Sequence, residues 1–236
     1  MKTEVIEPAD VRKASALLDI VLVDTISAMA KFSSIAESKI SLPNLRLGTA
    51  VTLARASCDF GRAITVLVEA HHEDLGAPAI SLLRSQLELT LRSAFFAYHA
   101  NDDEVKCFFD NDKLKMGPNA RGKMRDISLE ELAEIVELTW VADKQISTTV
   151  ELLRKFLNAH VHGGVWLLKS YQGPRGIGFV SSSASTLQSL KYSYACAHLA
   201  MIVVAKLSDE DSNLASEIFD QPYQSAQNFC AEVGLR

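Results

Sequence analysis

Apolar residues recur at helical spacing along almost the whole chain, and the residues that interrupt helices are scarce. Six prolines and eleven glycines occur in 236 positions, and they cluster between the periodic runs. That pattern leaves little scope for anything but helices. From about Pro8 to Phe32, Ala14, Leu17, Leu18, Val21, Leu22 and Ile26 repeat on one face. Pro43 suits the first turn of a second, Ala-rich helix running to about Leu75. Gly76 predicts a stop there, and Pro78 opens a helix that continues to about Ala100. Asn101 with Glu104, and Ser128 with Glu131, have capping-box spacing. Asp143 can start a helix that ends at Gly163 and Gly164. The turn-rich "SYQGPRGIGFVSSSAS" follows, with room for a short extended piece, and then two helices over about 183–206 and 210–232. No repeat, low-complexity tract or linker divides the chain. The expectation is one all-α domain over residues 1–236, a bundle of long helices.

Composition narrows the function classes. Hydrophobic residues make up 48% and charged residues 22%, the profile of a globular protein. The net charge of -5 argues against an overall nucleic-acid-binding surface. Cys58, Cys107, Cys196 and Cys230 form no CxxC pair and sit in helical patterns, so they read as free thiols in a reducing cytosol. The first ten residues have no apolar signal core. The apolar runs fall short of the roughly 18 to 20 residues that span a bilayer. A cytoplasmic protein without a membrane segment is expected.

Three stretches carry polar chemistry. In "APAISLLRSQLELTLRSAFFAYHA", Arg84, Glu88, Arg92, Phe95 and His99 fall in one narrow sector at about 100° per residue. Apolar arcs flank that sector: Ile80, Leu83, Leu87 and Leu91 on one side, Leu82, Leu89 and Phe96 on the other. A solvated face lies opposite the apolar one, not between two arcs. The stripe is therefore expected to be at least partly buried, leaving Gln86, Thr90 and Ser93 as the side for solvent. One carboxylate between two guanidiniums leaves a positive charge over. That charge calls for a partner, either within an ion-pair network or as an anionic substrate or ligand.

The second stretch is "RKFLNAHVHGGVW", residues 154–166. On a helix Arg154, Asn158 and His162 succeed one another along one side, and His160 points away. The two glycines place His162 at a helix C-terminus, where the dipole favours a protonated imidazole suited to acid–base work. The same pattern is also ordinary capping chemistry. His160 and His162 diverge on a helix and no carboxylate is near in sequence, so no metal site is expected, nor any other cofactor. The third stretch, "DKLKMGPNARGKMRD" (112–126), carries Lys113, Lys115, Arg121, Lys123 and Arg125 in a Gly/Pro-broken loop. It reads as a solvated basic loop that could touch phosphates. "GPRGIG" lacks the GK[ST] of a P-loop, and no G-x-S-x-G occurs.

The stripe segment "LLRSQLELTLRSAFFAYHANDDEVKCF" with the later "LNAHVHGG" resembles a group of uncharacterised bacterial helical proteins. These carry an Arg-x3-Glu-x3-Arg helix, an acidic junction and a later Asn-x3-His followed by Gly or Thr. The resemblance covers about residues 60–170 and implies a family of unknown function. More distantly, an Arg and a His near the end of a bundle helix resemble HEPN domains. Those are all-helical, usually dimeric, and many are metal-independent endoribonucleases of toxin–antitoxin and phage-defence systems. Arg154 and His160 have the spacing of their motif; His162 lies beyond it, and Lys155 stands where a small polar residue is usual.

Two function classes follow. One is a non-catalytic binding or interaction module in which Arg84, Glu88, Arg92, Asn158 and His162 form a polar network. The other is RNA cleavage, with His162 or His160 as acid–base, Arg154 steadying phosphate with Arg84 or Arg92, and Asn158 orienting the histidine. The expected partners are a second copy of the chain, with RNA or a protein as further possibilities. The homodimer rests on the HEPN-like resemblance and on near-continuously apolar segments such as 195–205.

Overall fold

A computed structural model of the chain describes residues 6–39, 45–118, 124–140, 145–162, 164–173, 176–177, 182–207 and 212–235. The positions of Pro43, Arg121, Lys123, Asp143 and Gly163, and the side chains of His71, His72 and Arg125, lie outside the described residues. Among the described residues the protein is all-α, with eight helices and two very short β pairings.

Helix α1 (Pro8–Lys39) starts with proline in its first turn, and Asp10 accepts from the Glu7 backbone N–H at 3.0 Å. Its apolar stripe, including Val11, Leu18, Leu22 and Met29, is buried. Helix α2 (Leu45–Tyr98) is helical throughout, across the expected break at Gly76 and Pro78. Yet it cannot be straight. On a straight helix Ser57 and Gln86 would be about 43 Å apart. Instead Ser57 Oγ donates to the Gln86 carbonyl at 3.2 Å and lies 2.6 Å from Thr90 Oγ1. Ser93 Oγ reaches the Ala50 carbonyl at 2.8 Å, and Arg46 at one end donates to the Ala100 carbonyl at the other. These pairings are centred on residues 71–74, so α2 is a hairpin of two antiparallel limbs. The Gly-Ala-Pro segment predicted as a stop lies beside that bend.

The close approach of the limbs has a sequence cause. A Cβ on Gly61 would lie 2.8 Å from Gln86 Nε2 and 2.9 Å from Leu22 Cδ2. A side chain at this position would have to displace the ends of both the Gln86 and the Leu22 side chains. The polar residues between the limbs are fully buried, which overturns the expectation that Gln86, Thr90 and Ser93 face solvent. Gln86 Nε2 donates to the Ser193 carbonyl at 3.0 Å, and Thr90 Oγ1 to its own helix at the Gln86 carbonyl at 2.9 Å. Neutral donors that find backbone carbonyls can be buried at little net cost, although Gln86 Oε1 is buried without a partner.

Helix α3 (Asp102–Asn111) begins with the expected capping box between Asn101 and Glu104, both bonds at 3.0 Å. It ends on Asp112 in the left-handed conformation, φ 52°, which turns the chain toward β1 (Lys115–Pro118). β1 pairs antiparallel with β2 (Met124–Asp126), so the ends of the basic loop form a small hairpin. Helix α4 (Leu129–Trp140) carries the second expected capping box, Ser128 with Glu131. Helix α5 (Gln145–Val161) has its first turn capped from outside: the Glu137 carboxylate accepts from Ile146 N at 2.8 Å and Ser147 N at 3.3 Å. A carboxylate suits that positive helix end.

Helix α6 (Val165–Ser170) and the pairing of β3 (Gln172–Gly173) with β4 (Gly176–Ile177) lead to α7 (Ser183–Leu207) and α8 (Ser212–Val233). The short extended piece expected near 170–185 is this second pairing. Helix α7 packs on α2, α1 and α8. Its apolar run, with Cys196, Ala197, Ala200, Met201, Val203 and Val204 buried, is therefore covered from within the chain. Helix α8 returns to α1, where Lys13 pairs with Glu232, and Asp24 accepts from Gln221 at 2.9 Å and Ser225 at 2.6 Å. The buried apolar side chains form one contiguous cluster. Among the described residues no helix is long and apolar enough to cross a membrane.

Candidate functional site

The second limb of α2 carries the charged stripe, and its register fixes the geometry. Arg84, Glu88 and Arg92 are one turn apart, with side chains 22%, 33% and 28% exposed. The stripe is thus partly buried, as the flanking arcs require. Glu88 Oε1 accepts from Arg92 Nη2 at 2.5 Å, whereas Glu88 Oε2 stands 3.8 Å from Arg84 Nη2. The carboxylate commits to Arg92 and only leans on Arg84. Arg84 Nη1 is buried and has no hydrogen-bond partner.

These three side chains form one wall of a cleft of about 390 Å³. The opposite side is built by the loop around the β1–β2 hairpin and by the start of α4: Asp112, Lys113, Asp126, Ser128, with Leu129 and Leu132 as apolar floor. Asp112, Lys113 and Asp126 are exposed at the rim. The two ends of the basic loop thus meet the charged stripe in one place. Sequence reasoning treated them as separate stretches and passed over Asp112 and Asp126. The available signal was the Ser128–Glu131 capping box, which anchors the loop's exit at a fixed helix start.

The cluster 154–162 is elsewhere. None of Arg154, Asn158, His160 and His162 lines the charged cleft. Arg154 is 47% exposed and ion-paired with Glu130 of α4. His160 is buried, its Nδ1 donating to the Phe156 carbonyl at 2.8 Å and its ring 4.3 Å from that of Phe156. His162 is exposed, and the link between it and Asn158 is the helical backbone bond at 2.9 Å. His99, the last member of the stripe sector, contacts Thr139 of α4; burial holds its imidazole below the ordinary value, against the pull of Glu104. Among the described residues no group of three or more His, Cys, Asp or Glu is placed to hold a metal ion.

A second cleft of about 390 Å³ opens on the other side of the same limb, between α2, α5 and α7. Leu83, Leu87 and Leu91 form its α2 wall. His198 of α7 lines it, with burial lowering its pKa and its ring stacked 5.6 Å from Tyr194. His198 was missed from sequence because it is a lone histidine within an apolar run. Burial also pushes the Cys58 and Cys196 thiols up to about 12, leaving both protonated and unreactive.

No curated protein and no solved structure matches the chain. One family model does, over residues 54–225, which takes in α2 from Ala54 onward, both clefts and most of α8. The chain belongs to that family, DUF6988, a family of unknown function.

Proposed function

We propose that this member of DUF6988 is a non-catalytic binding module whose charged cleft takes an anionic group of a small ligand or partner. The observation that carries this reading is the division of Glu88. One carboxylate serves two guanidiniums, it is bonded to Arg92, and Arg84 is left with a long contact and a buried, unpartnered Nη1. A half-buried guanidinium with spare donors on a cleft wall is a receptor for carboxylate or phosphate oxygens. The acidic rim residues are exposed and screened by water, so they weigh less than the wall. Ligand-binding roles fall to Arg84 and Arg92, and Glu88 holds the two side chains in register.

The alternative is chelator-resistant RNA cleavage centred on Arg154, Asn158, His160 and His162. It has less support, because Arg154 is engaged by Glu130 and His160 by its own helix. Melting the protein in inorganic phosphate and in chloride at matched ionic strength tests the binding reading. Phosphate should raise the melting temperature, as ligands that bind only the folded state do, and Arg84→Gln should remove the rise. An absent rise, or RNA cleavage by the wild-type chain that is lost in His162→Ala with an unchanged melt, overturns it.

A further inference from the structure

The cleft between α2, α5 and α7 differs from the charged one in a way that names a ligand class. Its α2 wall is the row Leu83, Leu87, Leu91. Ile146, Val150 and Leu153 of α5 face that row, and Leu199 and Ile202 of α7 close it. Among the described residues no charged side chain lines it; its polar groups are neutral, from Gln145, Thr149, Tyr192 and His198 among others. His198 lines the cleft with a half-buried ring. A neutral imidazole there can exchange a hydrogen bond with a ligand hydroxyl or amide.

We infer that this cleft binds a small, uncharged, elongated apolar ligand with one neutral hydrogen-bonding head group, which His198 receives. Three observations agree on this. The described lining offers no counter-charge to offset the desolvation of a carboxylate or ammonium, so it favours a neutral head. The size lies within the usual range for ligand pockets, about 300–1,000 Å³. Leu83 to Leu91 spans about 12 Å along the helix, roughly the reach of a ten-carbon chain. The low pKa of His198, caused by burial, keeps the ring neutral, with one nitrogen to donate and one to accept. The inference does not depend on the reading of the charged cleft.

The test uses the full chain and the neutral fluorophore N-phenylnaphthylamine. Saturable binding at one site per chain is expected, with decanol displacing the probe at least about tenfold better than decanoate. Ala195, exposed on the α7 wall, and Thr149 on the α5 wall allow the cleft to be filled from opposite sides. Ala195→Trp and Thr149→Phe should each weaken probe binding about tenfold or more. His198→Phe should keep probe binding and lower the competition by decanol about three- to tenfold, the worth of one neutral hydrogen bond. Absence of saturable binding, equal competition by decanoate, or an unchanged decanol competition in His198→Phe overturns the inference. So does a wild-type dimer in sedimentation that both filling variants convert to monomer, since a second copy would then be the occupant.

Discussion

Two polar stripes run along the second limb of α2 and meet opposite fates. Gln86, Thr90 and Ser93 are fully buried, while Arg84, Glu88 and Arg92 keep between a fifth and a third of their side chains in water. Both stripes repeat at helical spacing. The difference lies in what each group demands. A hydroxyl or an amide N–H needs only a carbonyl, and neighbouring helices offer many: Gln86 Nε2 uses that of Ser193 and Ser93 that of Ala50, while Gln86 Oε1 is left buried without a partner. An ion needs a counter-charge and residual water. The neutral stripe can therefore knit helices together, and the charged one must stay at a cleft.

This contrast can be broken most severely from the neutral side. Gln86→Ala removes a fully buried side chain and its bond to Ser193, and should cost about 3 kcal/mol in a urea melt, as large-to-small core changes do. Gln86→Met keeps the volume and should cost about 1 kcal/mol. Equal losses for the two would show that the amide, not its shape, holds the limbs together. Next in size is Gly61→Val, which drives atoms into Gln86 and Leu22. The overpacking should cost about 2 kcal/mol, with part of the strain recovered in the double variant Gly61→Val, Gln86→Ala. Additive losses would place the clash elsewhere.

On the charged side the effects are smaller. Glu88→Ala should cost about 1 kcal/mol, between the roughly 3 kcal/mol of a fully buried pair and the near-zero value of a surface pair. A loss near 3 kcal/mol would mean that the cleft is closed to water in solution. The smallest effect concerns His198. Its folded-state pKa lies below the ordinary 6.5, because burial disfavours the imidazolium. On acidification the unfolded chain takes up the proton first, so this contribution is complete above about pH 6.5 and is lost as pH falls through the folded value. Between about pH 7.5 and about pH 5.5 the melting temperature of wild type should fall more than that of His198→Gln. Parallel falls would place His198 in water rather than in the uncharged cleft.

The helices and both capping boxes were legible because they are local: periodicity and a four-residue spacing suffice. The partial burial of the charged stripe was legible for the same reason, from arcs on its own helix. The fate of Gln86, Thr90 and Ser93 was not, because it depends on carbonyls of the first α2 limb and of α7, far off in sequence. Gly76 and Pro78 predicted a helix end that does not occur, since α2 is helical across both and the pairings that fold it into a hairpin are centred a few residues earlier. The union of the 112–126 loop with the stripe was hidden likewise. Spacing along a chain says nothing about which loop lands on which helix face.

The return of α8 to α1 also bears on how the protein is made. The Lys13–Glu232 pair joins positions 219 residues apart. During synthesis α1 emerges long before its last neighbour, and can meet α2 and then α7 while the flank reserved for α8 stays bare. Contacts between such distant positions form slowly, because closing the long intervening loop costs entropy before any contact repays it. Nascent chains of this protein thus leave the α8-facing side of α1 uncovered until α8 has been made, and an uncovered helix flank is a surface on which chaperones and misassembly compete.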